Sequence, residues 1–264
     1  MSSSFWSGEF YFGGVHSDTY KVCIIDFDTS EILKQVGSTF TIELSEENTF
    51  NGRKSYIESN RTSENIVLQL AKKSKTAWTE GEIINICRWL FRKNFTKFQT
   101  VDYTSGYNLC YYLKAISFKK ILTPNFEGYL EFEFMSYDPY CYAIPTSNVK
   151  LNNTSSTSSV SETINNLSNL YQNYKPKVVI KSLGTSTIRI TNTNNNSYIE
   201  LDGLGNGETV TVDCLMGTVI DSNKVNRFDL LTGYNLIGLV KGNNNITLSG
   251  EADVEFICEF PIII

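Results

Sequence analysis

Apolar and polar residues alternate along several short stretches of this chain, and at one place the spacing turns helical. Phe10 and Phe12 in "EFYFGG", Val22 and Ile24 in "KVCIIDF", and the alternating "FTIEL" (40–44) each predict a strand. Ile66, Leu68 and Leu70 repeat the pattern, as do Leu130, Phe132 and Phe134, whose intervening Glu131 and Glu133 face the other way. Between these lies "TEGEIINICRWLFRKN" (79–94). Here Ile83, Ile86, Cys87, Trp89 and Leu90 form one broad apolar stripe, Thr79 suits an N-cap, and Glu80 and Glu82 sit where the helix dipole favours acids. The pattern predicts one helix among strands. Further strands are expected at "YNLCYYLKAISFKKI" and "GYLEFEFMSYD", joined by the turn-former "TPNFEG".

The strand ending in "YDPYCYA" stops at Asp138, Pro139 and Tyr140, because proline cannot donate to a ladder. The next stretch, "PTSNVKLNNTSSTSSVSETINN" (145–166), is rich in Ser, Thr and Asn, which compete with regular backbone pairing. It reads as a connector, so the expected domains are 1–145, a connector at 146–175, and 176–264. Limited proteolysis is expected to cut first inside the connector. Val160, Ile164, Leu167 and Tyr171 share helical spacing and could form a short docked helix there. From "YKPKVVIKS" onward, Val178/Ile180, Ile188/Ile190, Val210/Val212 and Val254/Phe256/Cys258/Phe260 alternate between the turns "NTNNNS", "GLGNGE", "LTGY" and "KGNNN". Short strands at this spacing predict an antiparallel sandwich, making the chain mainly β with one helix in its first domain.

At 264 residues, with 41% hydrophobic content, the chain is long enough for two cores. A formal charge of −5 argues against nucleic-acid binding through bulk positive charge, and no apolar run reaches membrane-spanning length. The start "MSSSFWSGEF" lacks the features of a secretion signal, which points to synthesis in a cytoplasm. In such a reducing compartment the six scattered cysteines read as buried thiols rather than a disulfide framework.

Catalytic chemistry finds little support. His16 is the single histidine, in the turn-like "GGVHSD", so multi-histidine metal sites are excluded. "DFDTSE" (26–31) starts like a calcium loop with Asp26 and Asp28, but Glu31 and Gly37 occupy the positions that need glycine and a bidentate acid. "GLGNGE" (203–208) is followed by a strand where a phosphate loop needs a helix. Lys72, Lys73, Lys75, Arg88, Arg92, Lys93 and Lys97 form the one basic region and read as a solvated face. No catalytic, cofactor or metal residues are assigned. The alternative worth carrying is a glycan-binding sandwich or adhesin, although Trp6, Trp78 and Trp89 all lie in the first half.

Three stretches resemble one family, the phage distal tail (Dit) proteins of the baseplate hub in long-tailed phages. They are "GEFYFGGVHSD", the helix "EIINICRWL" with "GYLEFEFMSYDPYCYA", and the course from "ETVTVDCLMGTVIDSN" through "NLIGLVKGNNNITLSGEADVEFICEF". The resemblance implies an N-terminal ring-forming domain, a hexamer joining the tail tube to the tip, and a galectin-like C-terminal sandwich. It also implies a place in the virion, with tail-tip, tail-associated and receptor-binding proteins as partners, and with no enzymatic activity. In that frame Asp138, Pro139 and Tyr140 mark the domain exit. The strands around Phe10, Phe12, Val22 and Ile24 are candidates for the subunit interface, being poor in the lysine and proline that protect sheet edges.

Overall fold

The computed structural model describes residues 8–25, 40–48, 54–63, 65–101, 108–184, 187–233 and 235–263. The chain separates into two compact units, dividing between Cys141 and Tyr142. The first unit opens with β1 (Phe10–Phe12), β2 (Val15–His16) and a 3-10 turn at Ser17–Tyr20, then β3 (Val22–Ile25), β4 (Phe40–Asn48), β5 (Lys54–Ser63) and β6 (Ile66–Lys72). Helix α1 (Glu80–Leu90) precedes β7 (Thr96–Thr100), β8 (Asn108–Leu122) and β9 (Gly128–Ser136). The main antiparallel sheet runs β2-β1-β7-β8-β9-β6-β3, and β4 pairs with β5 as a separate ribbon.

The alternation read in the sequence sets the core. Phe10, Phe12, Val22, Leu68, Leu70, Phe98, Leu130, Phe132 and Phe134 are all buried on one face of the sheet. Helix α1 covers that face with Ile83, Ile86, Trp89 and Leu90. Its N-terminus carries a full capping box: Thr79 Oγ1 accepts from the Glu82 N–H, and the Glu82 carboxylate accepts from the Thr79 N–H. The helix stops at Leu90, short of the expected Asn94, because Phe91 turns to an extended conformation. Trp89 anchors the packing. It stacks on Phe10 at 5.4 Å and on Tyr20 at 4.6 Å, and its Nε1 donates to the Phe12 carbonyl at 3.0 Å.

The second unit holds β10 (Cys141–Ile144, whose first residue closes the first unit), β11 (Val149–Asn153), β12 (Ser159–Asn166), β13 (Lys177–Ser182) and β14 (Ile188–Asn192). It continues with β15 (Ser197–Leu201), β16 (Thr209–Asp213), β17 (Thr218–Asp221), β18 (Gly242–Ser249), β19 (Ala252–Ile257) and β20 (Phe260–Ile262). Two antiparallel sheets, β11-β19-β13-β16-β17 and β12-β18-β14-β15, form the sandwich. Val178, Ile180, Val210, Val212, Val254 and Phe256 line one inner face. Ile188, Ile190, Ile199, Leu201, Ile246 and Leu248 line the other.

The expected connector at 146–175 is corrected here. Its Ser/Thr/Asn stretch supplies β11, paired with β19, and β12, paired along its length with β18. The expected docked helix is absent, since Val160 and Ile164 lie within β12. Asparagines in this stretch do satisfy main chain, but inside the fold. Asn153 Nδ2 donates to the Ser158 and Gly250 carbonyls, and Asn166 Nδ2 donates to the Leu239 carbonyl.

Candidate assembly interface

In the first unit the four residues expected at a subunit interface turn inward. Phe10, Phe12 and Val22 are at most 1% exposed and Ile24 is 8% exposed, so their side chains belong to the core. The reason is the alternation itself: in both strands these positions share the face that α1 covers. Strand β1 is not an edge either, because β2 and β7 flank it. β3 does end the sheet. On its inner side it pairs with β6, and on its outer side the Ile24 N–H donates to the Gly8 carbonyl at 2.9 Å.

An ionic cluster fixes the turn beside that edge. His16 caps the 3-10 turn, its Nδ1 accepting from the Asp18 N–H at 3.1 Å, while Nε2 lies 3.6 Å from Glu9. Lys73 Nζ reaches Glu9 at 2.6 Å and Asp18 at 3.0 Å. Hydrogen bonds from Lys73 and then Lys21 hold the Asp18 carboxyl below its ordinary range. Lys72 is committed elsewhere, to Glu82 at 2.7 Å. Part of the basic region is therefore structural rather than merely solvated. The capping role of His16 was hidden in the sequence, where only the "HSD" turn hinted at it.

At the exit from the first unit, Ser136 Oγ donates to the Asp138 carbonyl at 2.6 Å, and the Tyr140 N–H donates to Asp138 Oδ1 at 3.1 Å. Pro139 sits inside this side-chain-stabilised bend, and the unit boundary follows at Cys141. Asp26 and Asp28 lie outside the described residues. The "GLGNGE" stretch forms a turn with positive φ at Gly203 and Gly207.

The second unit exposes an apolar turn between β16 and β17. Leu215 and Met216 are 74% and 72% exposed, and the Asp213 carboxylate accepts from both their N–H groups. Burial works to raise the Asp213 carboxyl, yet the Met216 N–H and Lys177 prevail and hold it low. A groove of about 270 Å³ opens at the side of the sandwich, lined by Val149, Ile164, Leu167, Phe256, Cys258 and Phe260 among others. Among the described residues Tyr171 is the most exposed aromatic ring of the second unit, at 79%, whereas Tyr198, Tyr174 and Phe260 are engaged. Arg189 lies 4.2 Å over the Tyr198 ring, and Tyr174 packs edge-on against Phe260 at 4.8 Å.

Profile comparison then decides the family. The phage tail protein N-terminal domain matches residues 5–136, and the phage tail C-terminal domain matches residues 142–258. The chain belongs to the phage tail proteins. Between them the two matched regions cover both units, and they meet at the same bend around Asp138 and Pro139. No curated protein sequence matches the chain. Among solved structures, this tail protein shares its fold with the Dit protein of phage SPP1, described as a paradigm of the hub adsorption apparatus in phages infecting Gram-positive hosts. The TM-score is 0.61 at 12% identity, covering 96% of this chain and 98% of that one. A chain of the phage p2 baseplate, in its activated conformation with strontium, matches with TM-score 0.53 at 10% identity, covering 95% and 97%. At such identity the likeness is one of fold.

Among the described residues no group of three or more His, Cys, Asp or Glu side chains is placed to hold a metal ion. All six cysteines are free. Burial pushes the Cys214 and Cys258 thiols up to about 12, so they are poor nucleophiles. The pairing registers set Cys214 and Cys258 level with Pro176 on opposite sides of β13. That puts their Cα atoms two strand spacings apart, about 10 Å, beyond disulfide reach.

Proposed function

We propose that this tail protein is a Dit-like hub component of the baseplate, whose N-terminal unit assembles into a six-membered ring between the tail tube and the tail tip. The observation that carries this reading is the shared fold over both units with the SPP1 Dit protein, 96% of this chain against 98% of that one. A sheet that ends in β3, with a β4–β5 ribbon that pairs with no other strand among the described residues, supports assembly through the first unit. The C-terminal sandwich, with its exposed Leu215–Met216 turn, serves contacts with tail-associated or receptor-binding proteins. The protein has no catalytic role. It acts in the virion, after synthesis in the bacterial host.

Native mass measurement of the purified chain tests the reading. A six-membered ring of the 29.9 kDa subunit is expected. A strict monomer at micromolar and higher concentration would favour the alternative, a free-standing glycan-binding module, and glycan-array binding would then decide for it.

A further inference from the structure

Among the described residues the two sheets of the sandwich end in β11, β17, β12 and β15, and three of these margins are guarded. Outside β15 lies the chain's own return. There the Tyr198 N–H donates to the Asn235 carbonyl, the Asp202 N–H to the Leu230 carbonyl and the Thr232 N–H to the Glu200 carbonyl. Outside β17, the Asp221 N–H donates to the Val225 carbonyl and the Arg227 N–H to the Val219 carbonyl. β11 is five residues long and carries Lys150, the kind of side chain that keeps other strands off an edge. β12 is different: it runs eight residues, Ser159–Asn166, with neither lysine nor proline.

Register fixes which main-chain groups of β12 face out. Asn245 of β18 turns its main chain toward β14, since its carbonyl accepts from the Thr193 N–H at 3.0 Å and its N–H donates to Asn194 Oδ1 at 2.8 Å. Orientation alternates along an antiparallel strand, so Asn244 and Ile246 bond to β12, at Ile164 and Glu162. That leaves the N–H and C=O groups of Ser159, Ser161, Thr163 and Asn165 pointing away from the sheet, without a hydrogen-bond partner among the described residues. The groove of about 270 Å³ opens beside this margin, where Ile164 and Leu167 meet Phe256, Cys258 and Phe260. Glu162 shares the inward side of β12 with Ile164, yet it is exposed and has no ion-pair partner among the described residues.

We propose that β12 accepts an extended segment of another protein as an added strand, with an apolar side chain in the groove beside Ile164 and a basic one two residues along, opposite Glu162. Main-chain pairing supplies the affinity of such an addition, and the alternate side chains supply its choice of partner. A second copy of this chain fits poorly. Two antiparallel β12 strands satisfy all the outward groups only in the register Ser159↔Asn165, Ser161↔Thr163. That register sets Glu162 directly against the Glu162 of the copy, where like charges repel. The occupant therefore brings a base. The inference stands on the second unit alone and holds whether or not the first unit builds a ring.

A capped heptapeptide, Thr-Val-Thr-Lys-Thr-Val-Thr, is the probe, added to the full chain. Hydrogen–deuterium exchange read residue by residue should show the Ser161, Thr163 and Asn165 amides exchanging freely in the chain alone and slowing about tenfold or more at saturating peptide. The Val160, Glu162 and Ile164 amides, bonded to β18, should be slow throughout. A second peptide with glutamate in place of the lysine should bind roughly tenfold more weakly, and Glu162→Lys should reverse that order. Thr163→Pro removes one outward donor without touching the β18 ladder and should abolish the slowing, with circular dichroism unchanged. Should that variant misfold, the charge exchange at the exposed Glu162 decides alone. Outward amides that are already slow in the free chain would mean that this chain or a copy of it covers the edge, and would overturn the proposal. So would the absence of slowing at millimolar peptide, or slowing indifferent to the charge of residue 162.

Discussion

Glu82 shows how much one side chain can be asked to do. It completes the capping box at the start of α1 and also holds Lys72 across from the end of β6. Lys72 first, and then the Thr79 N–H, lower its carboxyl below the ordinary value. A depressed carboxyl contributes stability that is fully present above its unfolded pKa and is lost as pH falls through the folded one. Replacing Glu82 with Gln keeps the cap geometry and removes the charge. The variant should therefore be less stable than the native chain at pH 7 and indistinguishable from it near pH 2, in urea titrations at each pH. A constant difference across that range would show the ion pair to be irrelevant. Thr79→Ala removes the cap itself and should cost about 1 kcal/mol at either pH. The Thr79 cap was legible in the sequence because N-cap chemistry is local. Lys72 as the ionic partner was not, because the chain's return from β6 brings it there.

Elements obey the same division between local and distant causes. Alternation and helical spacing revealed β1, β3, β6, β9 and α1, since each buries one face against a core that its own sequence records. β12 escaped notice because its exposed side is Ser, Thr and Glu, and only Ile164 and Asn166 are buried. Its order comes from main-chain pairing with β18, from Asn166↔Gly242 to Ser159↔Ser249, far along the chain, which leaves no local trace. The earlier expectation for proteolysis changes accordingly. Residues 159–166 should resist a protease under native conditions, and first cleavage there would mean that β12 frays in solution. The β8–β9 hairpin makes a second test. Gly128 has φ of 142°, and a Cβ at that position would collide with the Ile121 carbonyl. Gly128→Ala should lower the melting temperature by several degrees, about 1 kcal/mol or more of stability. An unaltered melt would show that the turn relaxes freely.

At the scale of the molecule, the phage-tail resemblance was legible as a sequence of elements, and the division of labour proposed for the two units can be set against their topology. The first unit has a sheet that ends in β3 and a ribbon that pairs with nothing else described. The second has a double-layered core with both inner faces filled. Both units end their sheets in outermost strands, β2 and β3 in the first and β11, β17, β12 and β15 in the second, and the first adds the β4–β5 ribbon as a further main-chain margin. A fragment of residues 1–141 should assemble on its own, and a fragment of residues 142–264 should remain a folded monomer, both read by native mass and circular dichroism. An Ile24 variant refines the point. The Ile24 N–H faces outward to Gly8, away from β6, so proline there spares the β3–β6 ladder and breaks the bond that holds the Gly8 segment along the outer margin of β3. Ile24→Ala loses comparable core packing but keeps the donor. If the outer margin of β3 contributes to assembly, the proline variant should assemble less well than the alanine variant at equal stability. Equal assembly of the two would move the contact off β3, and a monomeric 1–141 fragment would remove it from the first unit altogether.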